Sequence, residues 1–244
     1  MKKNNIIKVG FVGFGKIAHG NSYNGKLPFS HLDSYKNSKF KIKIVAVCIS
    51  NEYDKINARK HFKDAVLYTD LNKMTKSHDL DIVSICSPTE FHTNHLLIVL
   101  NSGVKNVWLE KPLFTNKFEM KKILKFFNND FSIANVQINY WRCFVKEIED
   151  LVMNLKCQKF GKVKNIVGYY ADDWHNNGSH LVDIIRRILI DPYIIFSSEK
   201  KEISENALLV IGGSKDSTSW VAMPVSRQKF NIFELDIICE MQEL

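Results

Sequence analysis

The sequence predicts an α/β protein in which an N-terminal doubly wound parallel sheet is followed by a second α+β domain built on a largely antiparallel open sheet. Three observations indicate this fold. Short apolar runs alternate with helical segments as far as residue 128, and a glycine-rich turn directly follows the first run. Beyond that point, most of the strand-like runs follow one another with polar turns between them. We therefore expect one domain over residues 1–128 and a second over residues 129–244.

The first domain is expected to contain strands that helices cover on both faces. The run Ile42–Ile49 is apolar throughout, as is typical of a buried parallel strand. Between Asn21 and Phe40 the sequence is less regular, and we expect a loop before a short helix around His31–Tyr35. The predicted strands are Lys8–Val12, Ile42–Ile49, Asp81–Cys86 and Lys105–Leu109, and the predicted helices are Asn51–Phe62, Leu71–Lys76, Thr89–Ser102 and Lys117–Phe127.

The second domain contains one clearly amphipathic segment. In Leu181–Leu189, the side chains of Leu181, Ile184, Ile185 and Ile188 fall on one side of a helix. The other predicted elements are a helix over Val145–Leu155 and strands over Ser132–Asn139, Lys162–Tyr170, Tyr193–Ser197, Ala207–Ile211, Ser219–Met223 and Phe230–Ile238.

Composition and charge narrow the class of protein. The formal charge of +8 comes from 34 basic against 26 acidic residues, and the lysines are spread over the chain. Nucleic-acid binding needs clustered basic residues, so we expect no nucleic-acid partner. No apolar run approaches the ~20 residues of a membrane helix. The start is polar, and the five cysteines are odd in number without a CxxC pair, so we expect reduced thiols and a cytoplasmic protein without a signal peptide.

The turn after the first strand has a dinucleotide-binding pattern, G-x-G-x-x-G/A. Gly13 allows the tight turn, Gly15 lets backbone approach a pyrophosphate, and Ala18 keeps the next helix close to the sheet. The amides of Lys16 and Ile17 then begin a helix whose N–H groups can bind phosphates. The position after a strand, at the head of a strand–helix series, predicts a dinucleotide site.

The end of the second strand bears on the choice between NAD and NADP. A carboxylate there would bind the ribose 2′-hydroxyl of NAD. This strand ends in Ser50 and Asn51, and no carboxylate comes before Glu52. Ser50, Asn51 and Lys55 could instead accept a 2′-phosphate. NADP is therefore slightly favoured, and NAD stays possible.

Glu110-Lys111-Pro112 follows a predicted strand, at the carboxyl edge where ligands of open α/β sheets bind. Pro112 forces Lys111 out of the helical conformation, into an extended one or a cis-proline turn. A lysine beside a carboxylate and a nicotinamide cation can have its pKa tuned for acid–base catalysis. Lys111 is therefore the candidate proton-transfer residue, although an isolated E-K-P is more often a surface turn.

Ser87-Pro88-Thr89 ends the preceding strand, and Thr89 is a candidate N-cap for the helix that contains His92. His92 and His95 have helical i, i+3 spacing, but no third ligand is apparent, and we expect no metal site. Further along, Asn176-Asn177-Gly178-Ser179-His180 precedes the amphipathic helix. Ser179 would cap this helix and place His180 in its first turn, where the helix dipole favours a neutral ring that can accept a proton.

Together these motifs resemble the glucose–fructose oxidoreductase / inositol dehydrogenase / rhizopine catabolism (Gfo/Idh/MocA) family. The resemblance is carried by their order and spacing: Gly13-Phe14-Gly15-Lys16-Ile17-Ala18, then Ser87-Pro88-Thr89-Glu90-Phe91-His92, then Glu110-Lys111-Pro112, then Gly178-Ser179-His180-Leu181-Val182-Asp183.

The resemblance implies an N-terminal Rossmann domain and a second domain whose open sheet faces the cofactor. It implies that Lys111 is the catalytic lysine and that His180 handles the proton of a substrate hydroxyl. It also implies that Pro88, Thr89, His92 and Glu110 line the cofactor site, together with Ser87. The expected substrates are sugars, nucleotide sugars and inositols, which hydride transfer at the nicotinamide oxidises or reduces.

Two features depart from the family pattern. The usual D-x-G-x-H has its Asp four residues before the His, where this chain has Asn176. Asn176 can hydrogen-bond a sugar but cannot carry a proton. Family members are also commonly longer, so we expect the second domain to be incomplete. A non-catalytic dinucleotide-binding regulator or partner subunit is therefore the alternative, and the usual assembly through the C-terminal sheet becomes a possibility rather than an expectation.

Overall fold

The structure is a computed structural model that divides into two compact units, Met1–Asn139 and Tyr140–Leu244. The predicted loop residues 21–29 lie outside the described residues, as do Asn51 and Asp172. Among the helices of the described residues, none is long and apolar enough to cross a membrane. The described residues are 6–20, 30–50, 52–128, 134–171, 173–226 and 232–241.

The described residues of the first unit form six strands and six α-helices, which alternate along the chain except that two helices follow the first strand. The strands are β1 (Ile7–Val12), β2 (Ile42–Cys48), β3 (Val66–Tyr68), β4 (Ile82–Ile85), β5 (Asn106–Leu109) and β6 (Asn135–Ile138), and the helices are α1 (Lys16–His19), α2 (His31–Lys36), α3 (Glu52–His61), α4 (Leu71–Ser77), α5 (His92–Asn101) and α6 (Lys117–Asn128). The strands form one parallel sheet in the order β3-β2-β1-β4-β5-β6. The order reverses at β1, which creates the switch point at which open α/β sheets bind ligands.

Both faces of this sheet are buried, as the continuous apolar strands predicted. Neighbouring residues of β2 separate into two cores: Ala46 packs in a cluster with Leu96 of α5, whereas Val47 packs in a second cluster with Leu32 of α2. The predicted doubly wound parallel sheet is therefore confirmed.

Two details of the first unit differ from the sequence-based expectation. β3 has only three residues, too few to show a periodic pattern, and it was not predicted. β6 pairs in parallel with β5 and completes the first sheet. The predicted boundary at residue 128 placed this strand in the second domain, whereas the structure divides the chain after Asn139.

The second unit consists of two helices and a five-stranded sheet. The helices are α7 (Lys146–Lys156) and α8 (Ser179–Ile188), and the strands are β7 (Val163–Ala171), β8 (Tyr193–Glu199), β9 (Leu208–Gly213), β10 (Ser219–Val225) and β11 (Phe233–Cys239). The strand order is β11-β7-β10-β9-β8, in which only the β10–β7 pair is parallel. The predicted α+β unit on a largely antiparallel sheet is confirmed.

The apolar side of α8 packs directly on β7. Leu181, Ile184 and Ile185 are completely buried. Gly168 makes the close approach possible, because a Cβ at this position would lie 2.5 Å from Cδ1 of Leu181. The absence of a side chain at Gly168 therefore sets how near α8 comes to the sheet.

We expect Gly168→Ala and Leu181→Ala each to destabilise the protein, and the second substitution to offset part of the loss caused by the first. Gly168→Ala overpacks the interface and should lower the free energy of unfolding by about 1–3 kcal/mol. Leu181→Ala leaves a cavity and should lower it by about 2–5 kcal/mol. The double variant should lose clearly less than the sum, because the shortened side chain makes room for the new methyl group. Urea denaturation measures all three, and additive losses would contradict the contact.

Candidate functional site

A cavity of about 630 Å³ opens in the first unit where β1, β2 and β4 end. Parallel strands present their carboxyl ends at one edge of a sheet, so the residues after these three strands meet there. The side chains and backbone that line the cavity are those of Gly13, Phe14, Gly15, Lys16, His19, Ile49, Ser50, Asp54, Cys86, Ser87 and Pro88.

The glycine turn forms one wall of this cavity. Gly13 has a positive φ of 95°, and its N–H donates to the carbonyl of Cys48 at 2.9 Å. A Cβ on Gly13 would lie 2.6 Å from both the carbonyl oxygen of Cys86 and the amide nitrogen of Ser87. The turn therefore packs backbone against backbone with the chain that follows β4, and only glycine fits.

Gly15 differs from Gly13, because a Cβ there would meet only the carbonyl oxygen of Cys86, at 4.0 Å. Gly15 and Lys16 are exposed residues in the cavity wall, so the turn leaves room for the close approach that a pyrophosphate requires. The residues present fit a dinucleotide at this turn. The helix behind it is short, since α1 ends at His19 and Gly20 follows with a φ of 67°.

The end of β2 brings Ser50 to the cavity, as the sequence predicted. Asp54, in the first turns of α3, also lines the cavity. Asp54 was not among the predicted site residues, although Glu52 and Lys55 on either side of it were considered. In a helix, a residue four positions after Ser50 lies near the same edge of the sheet, so the spacing in the sequence could have predicted Asp54 as a site residue. Asn51, the other candidate for a 2′-phosphate, lies outside the described residues.

His92 connects the turn after β4 to the turn after β5. Its ring is almost completely buried, with Nδ1 2.7 Å from the carbonyl oxygen of Pro112 and Nε2 2.8 Å from that of Ser87. The hydroxyl of Thr93 donates to the carbonyl of Leu113 at 3.1 Å. His92 therefore ties two turns together and does not line the cavity. Thr89 does not cap α5 either, because it begins a 3₁₀ turn and the helix starts at His92.

Glu110, the residue directly after β5, has a buried carboxylate. Its Oε1 accepts hydrogen bonds from Nε2 of His31 at 2.9 Å and from Nδ2 of Asn139 at 2.5 Å. Burial alone would raise the pKa of Glu110, but these two hydrogen bonds and the charge of Lys111 outweigh it and lower that pKa. Lys111 follows, half-buried, with a cis peptide bond to Pro112. The turn thus holds a lysine beside an ionised carboxylate.

The second unit carries the other predicted site residues, Asn176 and His180. A π-helical turn over Trp174–Gly178 runs directly into α8, so Ser179 is inside the helix and does not cap it. The predicted cap is therefore wrong. The hydroxyl of Ser179 instead donates to the carbonyls of His175 and Asn176. The cap of the turn is Asp173, which accepts the N–H of Asn176 at 3.0 Å.

His180 is held among aromatic side chains of its own unit. It is 3% exposed, and its ring meets Tyr140 edge to face at 5.3 Å and Trp141 at 6.2 Å. Asn177, which the sequence analysis did not single out, anchors the turn: its Nδ2 donates to the carbonyl of Ala171, and its Oδ1 accepts from Arg142. These contacts fix the segment that carries Asn176 and His180.

The cavity therefore collects only part of the predicted cofactor-binding residues. Ile17, Thr89, His92 and Glu110 are not among its lining residues, and Lys111 lies on the next turn along the sheet. Among the described residues, no group of three His, Cys, Asp or Glu side chains is arranged to hold a metal ion. The predicted residues that line the cavity are Gly13, Gly15, Lys16, Ser50, Ser87 and Pro88.

A family model described as an oxidoreductase family with an NAD-binding Rossmann fold matches residues 7–137, just over half of the chain. The chain belongs to this family, Gfo/Idh/MocA, as its motifs indicated. Its fold is shared with a crystal structure of myo-inositol dehydrogenase from Lactobacillus casei in complex with NAD(H) and myo-inositol. The TM-score is 0.75 at 20% identity, over 98% of this chain and 74% of that chain.

Two curated relatives are dehydrogenases. A 1-carboxy-3-chloro-3,4-dihydroxycyclohexa-1,5-diene dehydrogenase from Comamonas testosteroni is 28% identical over 107 residues. A D-glucoside 3-dehydrogenase from Escherichia coli (strain K12) is 33% identical over 79 residues. The matched segments cover 44% and 32% of this chain, but only 24% and 22% of those relatives.

We expect Gly13→Ala to be far more damaging than Gly103→Ala, although both glycines have a φ above 90°. A Cβ at Gly103 would meet nothing within 4 Å, so its replacement adds only backbone strain of about 1–2 kcal/mol. Gly13→Ala adds the collision with Cys86 and should lower the free energy of unfolding by about 3 kcal/mol or more. Equal losses in urea denaturation would contradict the close packing of the turn.

Proposed function

We propose that this protein transfers a hydride between a nicotinamide dinucleotide and a carbinol carbon of a sugar, nucleotide sugar or polyol. The observation that carries the proposal is the cavity at the switch point of the parallel sheet, with the glycine turn on one side and Lys111 at the end of the neighbouring strand. The family and the dehydrogenase relatives support it. The substrate class follows from the relatives, whose names include a glucoside dehydrogenase and an inositol dehydrogenase.

Binding of the dinucleotide would use mainly backbone of the first unit. Gly15 and Lys16 offer exposed backbone for the pyrophosphate, and the ammonium group of Lys16 adds a positive charge. Ser50 can hydrogen-bond the adenosine ribose, and Pro88 gives an apolar wall beyond β4. When bound, the nicotinamide supplies a carbon that accepts or returns the hydride.

Lys111 is proposed to move the proton that accompanies the hydride. In oxidation, with a bound nicotinamide supplying the hydride acceptor, the neutral amine of Lys111 would take the hydroxyl proton as the carbonyl forms. In reduction the Lys111 ammonium returns that proton. Glu110 stays ionised beside Lys111 and favours the ammonium form.

His180 and Asn176 are proposed to act on hydroxyl groups of the substrate. The buried ring of His180 is orientated by Tyr140 and Trp141, so it can exchange a proton with a hydroxyl group in one fixed direction. The amide of Asn176 can donate to and accept from sugar hydroxyls, but it cannot take a proton. Proton transfer is therefore assigned to Lys111 and His180, and Asn176 is assigned to substrate orientation.

A non-catalytic dinucleotide-binding regulator or partner subunit is the second candidate function. The observation that favours it is the amide at position 176, where the family has a carboxylate. The two functions differ in turnover and not in cofactor binding. Binding of the cofactor without any absorbance change on a broad substrate panel would support the regulator.

The second sheet offers a surface for self-association. α8 covers one face, and the other face exposes apolar side chains on four strands. Phe196 of β8 lies opposite Ile211 of β9, and Met223 of β10 and Ile238 of β11 extend the surface. Exposed apolar faces of this kind mark interaction sites. We propose pairing of two copies through this face, in the cytoplasm, where the five free thiols would stay reduced.

We expect Lys111→Ala to abolish turnover while cofactor binding survives. Removing a general acid–base typically costs about 10²–10⁴-fold in kcat. The assay follows the absorbance of the reduced nicotinamide with free sugars, inositols and UDP-sugars. Lys117→Ala, at an exposed lysine on α6, is the matched control and should keep normal turnover. If Lys111→Ala retained full activity, the assignment of the proton transfer would be wrong.

Asp54 should decide between the two cofactors. Its carboxylate lies in the cavity wall near Ser50, where it would repel a 2′-phosphate and accept a 2′-hydroxyl. This observation favours NAD, and the slight preference for NADP remains a sequence-based prediction. We expect Asp54→Asn to lower the ratio of the NADP Kd to the NAD Kd by about tenfold. Asp64→Asn, at an exposed carboxylate, should leave that ratio unchanged. An unchanged ratio in both variants would exclude Asp54 from cofactor selection.

A further inference from the structure

The carboxylate of Glu110 depends on a side chain that comes from far away in the sequence. Nε2 of His31, the first residue of α2, lies 2.9 Å from Oε1 of Glu110, 79 positions later in the chain. We propose that His31 is a positioning residue, which holds Glu110 ionised and fixed beside the proton-transferring Lys111. This inference rests on the proposed function, because it assigns a role to the surroundings of Lys111.

The ring of His31 can take only one orientation. It is 1% exposed and stacks on the indole of Trp108, with ring centroids 3.6 Å apart and planes inclined by 21°. Phe11 meets it edge to face at 6.5 Å. Trp108 lies two residues before Glu110 on β5, so the strand that carries the carboxylate also orientates the ring. Stacking therefore aims Nε2 at Glu110.

The hydrogen-bond pattern assigns the proton on this ring. An ionised carboxylate can only accept, so Nε2 of His31 must carry hydrogen. Nδ1 of His31 is buried and has no hydrogen-bond partner within the described part of the chain. A second proton on Nδ1 would place an unpaired N–H of a cation in apolar surroundings, which is costly. Nε2 of His31 is therefore the donor of this hydrogen bond, and the carboxylate of Glu110 is its acceptor.

Four groups face the carboxylate of Glu110. His31 approaches from α2, Asn139 from the end of β6, Lys111 from the same turn, and the buried thiol of Cys86 from the end of β4. Only the first three oppose the effect of burial, which by itself raises the pKa of Glu110. Without the hydrogen bond from His31, the effect of burial is opposed less, so the pKa of Glu110 rises and Glu110 takes up a proton at a higher pH. The turn then loses the charge that orientates Lys111.

The test combines a titration of Glu110 with kinetics. Difference infrared spectroscopy follows the C=O stretch of a protonated carboxyl as the pH falls, and Glu110→Gln identifies the band by removing it. His31→Phe keeps an aromatic ring on Trp108 but has no donor. We expect it to move the titration midpoint of Glu110 upward by about one pH unit and to lower kcat about tenfold, with the cofactor Kd unchanged.

Two further variants separate positioning from packing. His31→Gln restores an N–H donor and should return the midpoint and kcat close to wild-type values. Tyr35 is on the same helix as His31 and contacts the same Trp108. Tyr35→Phe removes the 2.9 Å hydrogen bond between Tyr35 and Ser84 of β4, and it should change neither the midpoint nor kcat. If His31→Phe does not fold, His31→Met, which also has no donor, replaces it.

The proposal is overturned if the donor-free variant leaves the midpoint of Glu110 unchanged, or if Tyr35→Phe moves it equally. A failure of the proposed function looks different: the wild-type protein would then turn over none of the substrates. In that case the infrared titration still decides whether His31 controls the charge of Glu110, because it requires no turnover.

Discussion

The first unit is organised around the contact between the turn after β1 and the chain that follows β4. At Gly13 the two backbones approach so closely that no side chain fits between them. β1 lies between β2 and β4 in the sheet, at the point where the strand order reverses. The turn after β1 packs against the chain after β4, and space is therefore left on the other side, toward the end of β2. The position of the cavity between the glycine turn and Asp54 therefore follows from where that single turn lies.

The turn after β5 keeps a negative charge at a buried edge of the sheet. The carboxylate of Glu110 is removed from water, and hydrogen bonds from His31 and Asn139 replace the lost solvation. His92 ties the following turn to Ser87 and so links the charged turn to the cavity wall. Rigid hydrogen bonding thus connects the dinucleotide-binding edge to the lysine that would exchange the proton.

The sequence predicted the long elements well, because continuous apolar strands and amphipathic helices leave periodic patterns. β3 was missed because three residues have no period, and β6 was assigned to the wrong side of the boundary because pairing between strands is not visible in a local pattern. The cap at Ser179 failed because a π-helical turn continues into α8. The partnership of His31 with Glu110 spans 79 residues, so no motif spacing could reveal it.

The surroundings of Cys86, at the carboxyl edge of the parallel sheet, determine how reactive its thiol is. Burial, with a smaller contribution from the charge of Glu110, raises the pKa of this thiol well above its ordinary value. Thiolates react with peroxides and electrophiles, whereas protonated thiols hardly do. Cys86 lines the cavity, but it packs in the same core cluster as Phe11 and is only 4% exposed. Burial and, to a smaller extent, the charge of Glu110 therefore keep this thiol protonated and unreactive, and the cavity can open to solvent without becoming a redox-sensitive surface.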